Sequence, residues 1–129
     1  MSLKPKKSKT PTEPVNRNDE LQGPWGRINP ESQSVITLRL YKKTSPLTEE
    51  THSYPYRVLS SWHWHGGASE EELKIEASSD LVTVKGRRLD RLVEALDRNA
   101  LEILREALRG DFVESEHSIW VSSISIARV

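Results

Sequence analysis

At 129 residues the chain has room for one domain and too little length for two useful cores. Its 19 basic and 19 acidic residues cancel to zero net charge, which argues against a generic nucleic-acid or membrane-surface binder and leaves only local patches for such roles. There is no cysteine, so disulfides, zinc–thiolate sites and cysteine nucleophiles are excluded.

Small secreted domains often depend on disulfides, so their absence favours a cytoplasmic home. No apolar run approaches the roughly 18 residues of a membrane-spanning helix. The lysine-bearing N-terminus lacks the apolar core of a signal peptide. No cofactor and no membrane partner are expected.

Residues 1–33 read as a flexible tail. Lys4, Lys6, Lys7 and Lys9 alternate with Pro5, Pro11 and Pro14, and apolar residues are too sparse to offset the entropy of ordering the segment. One feature interrupts it: Trp25, set between Gly23-Pro24 and Gly26, which suggests an exposed aromatic or a latch that docks into a groove, as aromatic anchors do at interfaces. The folded domain is expected over 34–129.

Residues 34–41 alternate Ile36, Leu38 and Leu40 with Thr37, Arg39 and Tyr41, the pattern of a half-buried strand. Residues 42–53 are polar around Ser45-Pro46 and read as a loop. Residues 54–65 read as one long strand. Tyr54, Tyr56, Val58, Trp62 and Trp64 share one parity, Arg57, Leu59, His63 and His65 the other, and Gly66-Gly67 ends it. Its Pro55 requires a strand start or an edge. Residues 70–77 form the next strand, with Leu73, Ile75 and Ala77 on one side. A turn at Ser78-Ser79-Asp80 leads into a strand over 81–85.

After Gly86 the apolar residues Leu89, Leu92, Val93, Leu96, Ala100, Ile103, Leu104 and Ala107 recur at three- and four-residue spacing. That draws one stripe along a helix. The preferred reading is a helix of about 21 residues and roughly 31 Å. The second reading is a helix of about twelve residues, a turn at Arg98-Asn99 and another strand, since 101–105 also fits alternation. Runs at 111–115 and 118–128 read as a closing hairpin, with a bulge near Ser122-Ser123 to reconcile the parity of the last strand. The expected fold is therefore α+β, a largely antiparallel sheet of about six strands in the order β-β-β-β-α-β-β with one long amphipathic helix packed on one face.

Two clusters bear on chemistry. In Trp62-His63-Trp64-His65 the imidazoles of His63 and His65 lie on one face of a strand, about 7 Å apart. They could share a metal with His52, His117 or a carboxylate. The simpler reading packs the tryptophans inward and leaves the histidines in water. Lys85, Arg87, Arg88 and Arg91 gather at the start of the helix, where acids are usual. They suggest a site for phosphate or carboxylate, unless they pair with glutamates of the neighbouring hairpin. Glu70-Glu71-Glu72 reads as a solvated strand edge that deters aggregation. No Gly-x-Ser-x-Gly elbow and no acid–base–nucleophile spacing is present, so an enzyme is not expected.

One helix covers one sheet face. The other would carry Tyr41, Leu59 and one side of the last strand, and small sheets bury such a face by two-fold association. A protein-interaction or self-associating module, with Trp25 as a possible anchor, is the first expectation. A nucleic-acid module is the second, using the lysine tail and Arg87, Arg88 and Arg91 for phosphates and aromatics for stacking.

Overall fold

Leu38 and Leu40 point one way along their strand while Arg39 and Tyr41 point the other, and both leucines are fully buried. The computed structural model describes residues 21–30, 34–107 and 118–128. These form strands β1 (Gln22–Gly23), β2 (Gly26–Ile28), β3 (Thr37–Ser45), β4 (Thr48–Pro55), β5 (Leu59–His65), β6 (Glu71–Ala77) and β7 (Asp80–Arg87). Helix α1 (Asp90–Asp97) and strands β8 (Leu101–Arg105) and β9 (Trp120–Arg128) complete them.

Strands make up 61% of this structure, against roughly 20–25% in ordinary globular proteins, which makes the fold mostly β. There are two sheets, ordered β1-β2-β8-β3-β4 and β5-β6-β7-β9. One apolar cluster draws on both. It unites Leu38, Leu40, Leu101 and Leu104 of the first sheet with Leu73, Ile75, Val82, Val84 and Ile124 of the second. This overturns the expected α+β arrangement of a single sheet beneath one long helix.

The helix is short because Asn99 stops it. Asn99 has φ 55°, the left-handed conformation that ends many helices. Its N–H donates to Leu96 O at 3.0 Å, and the N–H of Ala100 donates to Ala95 O at 2.7 Å. These are the two bonds of a Schellman cap. Beyond it the chain runs extended as β8, antiparallel to β2 and parallel to β3. Most residues of the apparent stripe are nevertheless core, Leu92, Leu96 and Leu104 among them fully buried, while Val93, Ile103 and Ala107 are only half-buried. Leu104 reaches the core from a strand, which a short apolar run does not distinguish from a helix.

The expected loop over 42–53 is instead most of a hairpin. Lys42 lies opposite Glu50 and Lys43 opposite Glu49, so the polar residues are cross-strand charge partners. At the turn, Thr48 Oγ1 is 2.6 Å from Thr44 Oγ1 and 2.8 Å from Ser45 Oγ. The expected long strand over 54–65 is broken by a 3-10 turn at Tyr56–Val58, which carries the chain from the first sheet to the second. Tyr56 holds this corner, its N–H on Ile36 O at 2.9 Å and its hydroxyl on Leu101 O at 2.6 Å. Pro55 ends β4, an edge strand, as a residue without an N–H requires.

Residues 22–28, assigned by composition to the tail, pair with β8 through β2. Trp25 and Ile28 are 4% and 5% exposed, so Trp25 is a core residue and not a surface anchor. Gly26, at φ 136°, leaves no room for a Cβ against the Ile103 carbonyl. In the last strand, Lys85 faces Ser123 and Gly86 faces Val121. Ser122 is the extra residue, and the expected bulge is there. β9 pairs with β7; its expected hairpin partner, 111–115, lies outside the described residues, as do 1–20 of the tail.

The Asn99 conformation makes a direct stability prediction. Asn99→Ala should cost about 0.5–1 kcal/mol, because alanine keeps the Cβ but loses the short polar side chain that lets asparagine visit the left-handed region, while Asn99→Gly, which removes the Cβ, should be neutral or stabilising in urea denaturation.

Two tyrosines predict an alkaline limit. Burial, then the hydrogen bond to Asp80 Oδ2 at 2.8 Å and its charge, push the Tyr54 hydroxyl up to about 12. Burial raises Tyr56 further in the same direction. The folded state holds these protons more tightly than the unfolded chain. Their contribution is therefore complete below the ordinary tyrosine value of about 10 and is lost as pH rises through the folded values. Urea midpoints should fall above pH 10, and less steeply in Tyr54→Phe/Tyr56→Phe.

Candidate interaction site at the edge of β5

β5 is one edge of the four-stranded sheet. The alternation in Trp62-His63-Trp64-His65 sorts the side chains as expected. Trp62 lies opposite Ile75 and Trp64 opposite Leu73, on the inward side, where Trp62 is half-buried and Trp64 remains 41% exposed, while His63 lies opposite Lys74 and His65 opposite Glu72, on the outward face.

The two tryptophans hold α1. Trp62 Nε1 donates to Asp97 Oδ1 at 2.8 Å, at the end of the helix. Trp64 Nε1 donates to Glu71 Oε1 at 3.0 Å. The same carboxylate accepts the backbone N–H of Leu89 at 2.8 Å and of Arg88 at 3.1 Å. Glu71 therefore caps the start of the helix from a neighbouring strand, where free N–H groups and the helix dipole favour an anion.

This changes the meaning of the basic cluster. The anion at the helix start is the chain's own Glu71. Lys85 and Arg87 are exposed, whereas Arg88 and Arg91 are half-buried and engaged in interactions of their own. Arg88 has φ 59°, a conformation that costs a residue other than glycine about 1–2 kcal/mol. The two N–H bonds to Glu71 straddle that residue and its successor, and they offset part of the cost. Glu70-Glu71-Glu72 is not an edge either, because β6 lies between β5 and β7. Glu70 accepts a hydrogen bond from Ser122 Oγ at 2.8 Å, and Glu72 lies 3.8 Å from Lys74 Nζ. The inward role of Glu71 was available in the alternation, since it shares parity with Leu73 and Ile75.

The three expected interaction residues do not converge. Trp25 is in the core, and Leu59 is 9% exposed at the start of β5. Tyr41, on the outward face of the five-stranded sheet, is half-buried beneath the Arg105 guanidinium at 4.3 Å. Arg105 also faces Glu49 at 3.5 Å, so a groove lined by Lys43, Pro46, Leu47, Thr48, Glu49 and Arg105 has charges that answer each other. His52 is paired with Glu50 at 2.8 Å on β4, in the other sheet from His63 and His65. His117 lies outside the described residues. Among the described residues no three histidine or carboxylate groups are grouped to hold a metal ion, and no helix is long and apolar enough to cross a membrane.

What does stand out is the backbone of β5. Each other sheet edge is short, charged or partly covered. β1 has two residues. β4 carries Glu49, Glu50 and Pro55. β9 receives the Ala107 N–H on Val121 O at 2.9 Å, and its Ile124 N–H donates to Glu106 Oε1 at 3.0 Å. β5 contains no proline, acid, lysine or arginine. Among the described residues, no backbone hydrogen bond from outside the sheet reaches residues 60–65. Natural sheets usually block such an edge.

Comparison of the chain with protein-family models, with curated proteins and with solved structures finds no match.

The Glu71 cap can be tested against its neighbour. Glu71→Ala should cost about 1–2 kcal/mol in urea denaturation, as the loss of a helix cap does. Glu72→Ala, on the outward face, should cost less than about 0.5 kcal/mol.

Proposed function

We propose that the chain is a non-enzymatic protein-interaction module that takes up an extended partner strand along β5. The observation that carries this reading is that, among the described residues, the edge of β5 is open and free of proline, acid, lysine and arginine, while β1 is short, β4 carries Glu49, Glu50 and Pro55, and β9 is partly covered. An added strand gains affinity from main-chain hydrogen bonds and specificity from the side chains that alternate along it. Here Trp62 and Trp64 offer aromatic contacts to one side of the incoming strand. His63 and His65 offer donors and acceptors to the other.

On this reading the working surface is an edge and not the sheet face expected from the sequence. Among the described residues the inward faces share one core, and the outward face of the four-stranded sheet is mostly polar, with Ser61, His63, His65, Glu72, Lys74, Glu76, Thr83, Lys85, Ser123 and Ser125 beside Leu81, Trp120 and Ala127 at its β7-β9 side.

A nucleic-acid role has less support. Net charge is zero, Glu71 fills the helix start beside the arginines, and the lysine tail lies outside the described residues.

Selection of a random peptide display library against the immobilised chain tests the proposal. Enriched peptides should be extended and β-prone, should protect the backbone amides of residues 61–65 from hydrogen exchange, and should bind almost independently of salt. Binders that map elsewhere would contradict strand addition at β5. So would an oligonucleotide that binds with a logarithmic salt slope near 0.7 per phosphate contact.

A further inference from the structure

We infer that the strand taken up by β5 is β5 of a second copy of this chain, running antiparallel across a two-fold axis through His63. This rests on the strand-addition reading and names its occupant.

The regular part of β5 is bounded at both ends. A register shift between Leu59 and Ser61 leaves Ser60 bulged, and Gly66-Gly67 follows His65. Five residues, 61–65, remain in regular pairing with β6, and His63 is their midpoint. In an antiparallel pair, directly opposite residues share a face. An axis through His63 sets Trp62 against Trp64 of the second copy on the inward side. On the outward side it sets Ser61 against His65 of the second copy, and His63 against itself. All five residues are then paired with a residue of the same face. Moving the axis to Trp62 brings Trp64 against the bulged Ser60. Moving it to Trp64 brings Trp62 against Gly66. Only the register about His63 uses the whole segment.

Charge points to the same occupant. Near a two-fold axis each ionised residue meets its own copy, and like charges directly opposite are destabilising. β5 contains no Asp, Glu, Lys or Arg, whereas β4, another long edge, carries Glu49 and Glu50. A strongly acidic or basic peptide would find no counter-charge on β5 itself. On the outward face the nearest ionised groups are Glu72, Lys74 and Glu76 of β6. The two copies of Lys74 would be separated by the two His63 side chains. The tryptophans are already fixed by Asp97 and Glu71, so pairing them costs less side-chain entropy than ordering free rings.

The absence of cysteine makes single-cysteine variants clean probes. In the full chain, His63→Cys should cross-link to a disulfide dimer under mild oxidation, because opposite Cβ atoms approach to about 4.5–5.5 Å. Ser125→Cys, exposed on the same outward face but on β9, should remain monomeric. By light scattering the wild type should have twice the monomer mass at high micromolar concentration. His63→Lys should weaken that dimer by about tenfold or more through like charges at the axis, and mixing it with His63→Glu should restore a mixed dimer. A wild type that stays monomeric, or a dimer in which Ser125→Cys cross-links as fast as His63→Cys, would overturn the inference. If the wild type is monomeric yet display peptides protect residues 61–65, strand addition stands and only the second copy is wrong. If neither binds there, both readings fail.

Discussion

The left-handed turn at Asn99 sets the architecture. An uninterrupted helix through 99–107 would have left the apolar residues of 101–104 on a helical stripe lying over a single sheet. With the turn, Leu101 and Leu104 enter the middle of a second sheet, between β2 and β3. That sheet gives the inward face of β5-β6-β7-β9 a full-sized partner. Two sheets facing each other satisfy both apolar surfaces at once, as layered folds must. Among the described residues the inward faces of both sheets are taken up by the shared core, and the unpaired backbone edges are what the layers leave open to a further strand.

The same economy decides what α1 does. With eight residues it is too short to be stable alone, and it is held from three sides. Leu92, Ala95 and Leu96 bury its apolar face. Glu71 closes its start, and Trp62 reaches its end. These contacts also settle the orientation of β5. Once both indoles are committed inward, His63 and His65 face water and the strand backbone is the feature presented outward along the edge. The basic residues around Arg88 serve this arrangement. The helix start is served by Asp90 in its own first turn and by the Glu71 carboxylate from β6.

Much of the core was legible in the sequence, because burial mostly follows alternation, although Ile36, in phase with Leu38 and Leu40, is 80% exposed ahead of β3. Leu38, Leu40, Leu73, Ile75, Leu92, Leu96 and Leu104 are all inside. The inward tryptophans and outward histidines of β5, and the bulge at Ser122, followed from parity as well. The second sheet was hidden for identifiable reasons. Four of its five strands announce themselves weakly. β1 and β2 are too short for periodicity, and β4 is polar because its residues answer charges on β3. β8 is a five-residue apolar run that fits either period. Only the turn chemistry of Arg98-Asn99 separates helix from strand there, and propensity alone undervalues asparagine in the left-handed region. The edge of β5 was not legible at all, since which strands lie outermost is a property of the assembled sheets.

The central claim, that β5 is the working edge, meets its most direct test in site-resolved amide hydrogen exchange of the chain across a wide concentration range. Edge amides without a partner exchange quickly, and pairing protects them. The account predicts that protection within residues 61–65 rises with concentration while the exposed edge of β4 is unchanged. Concentration-dependent protection confined to β4 or to the outward sheet faces, with residues 61–65 unaffected, would contradict it.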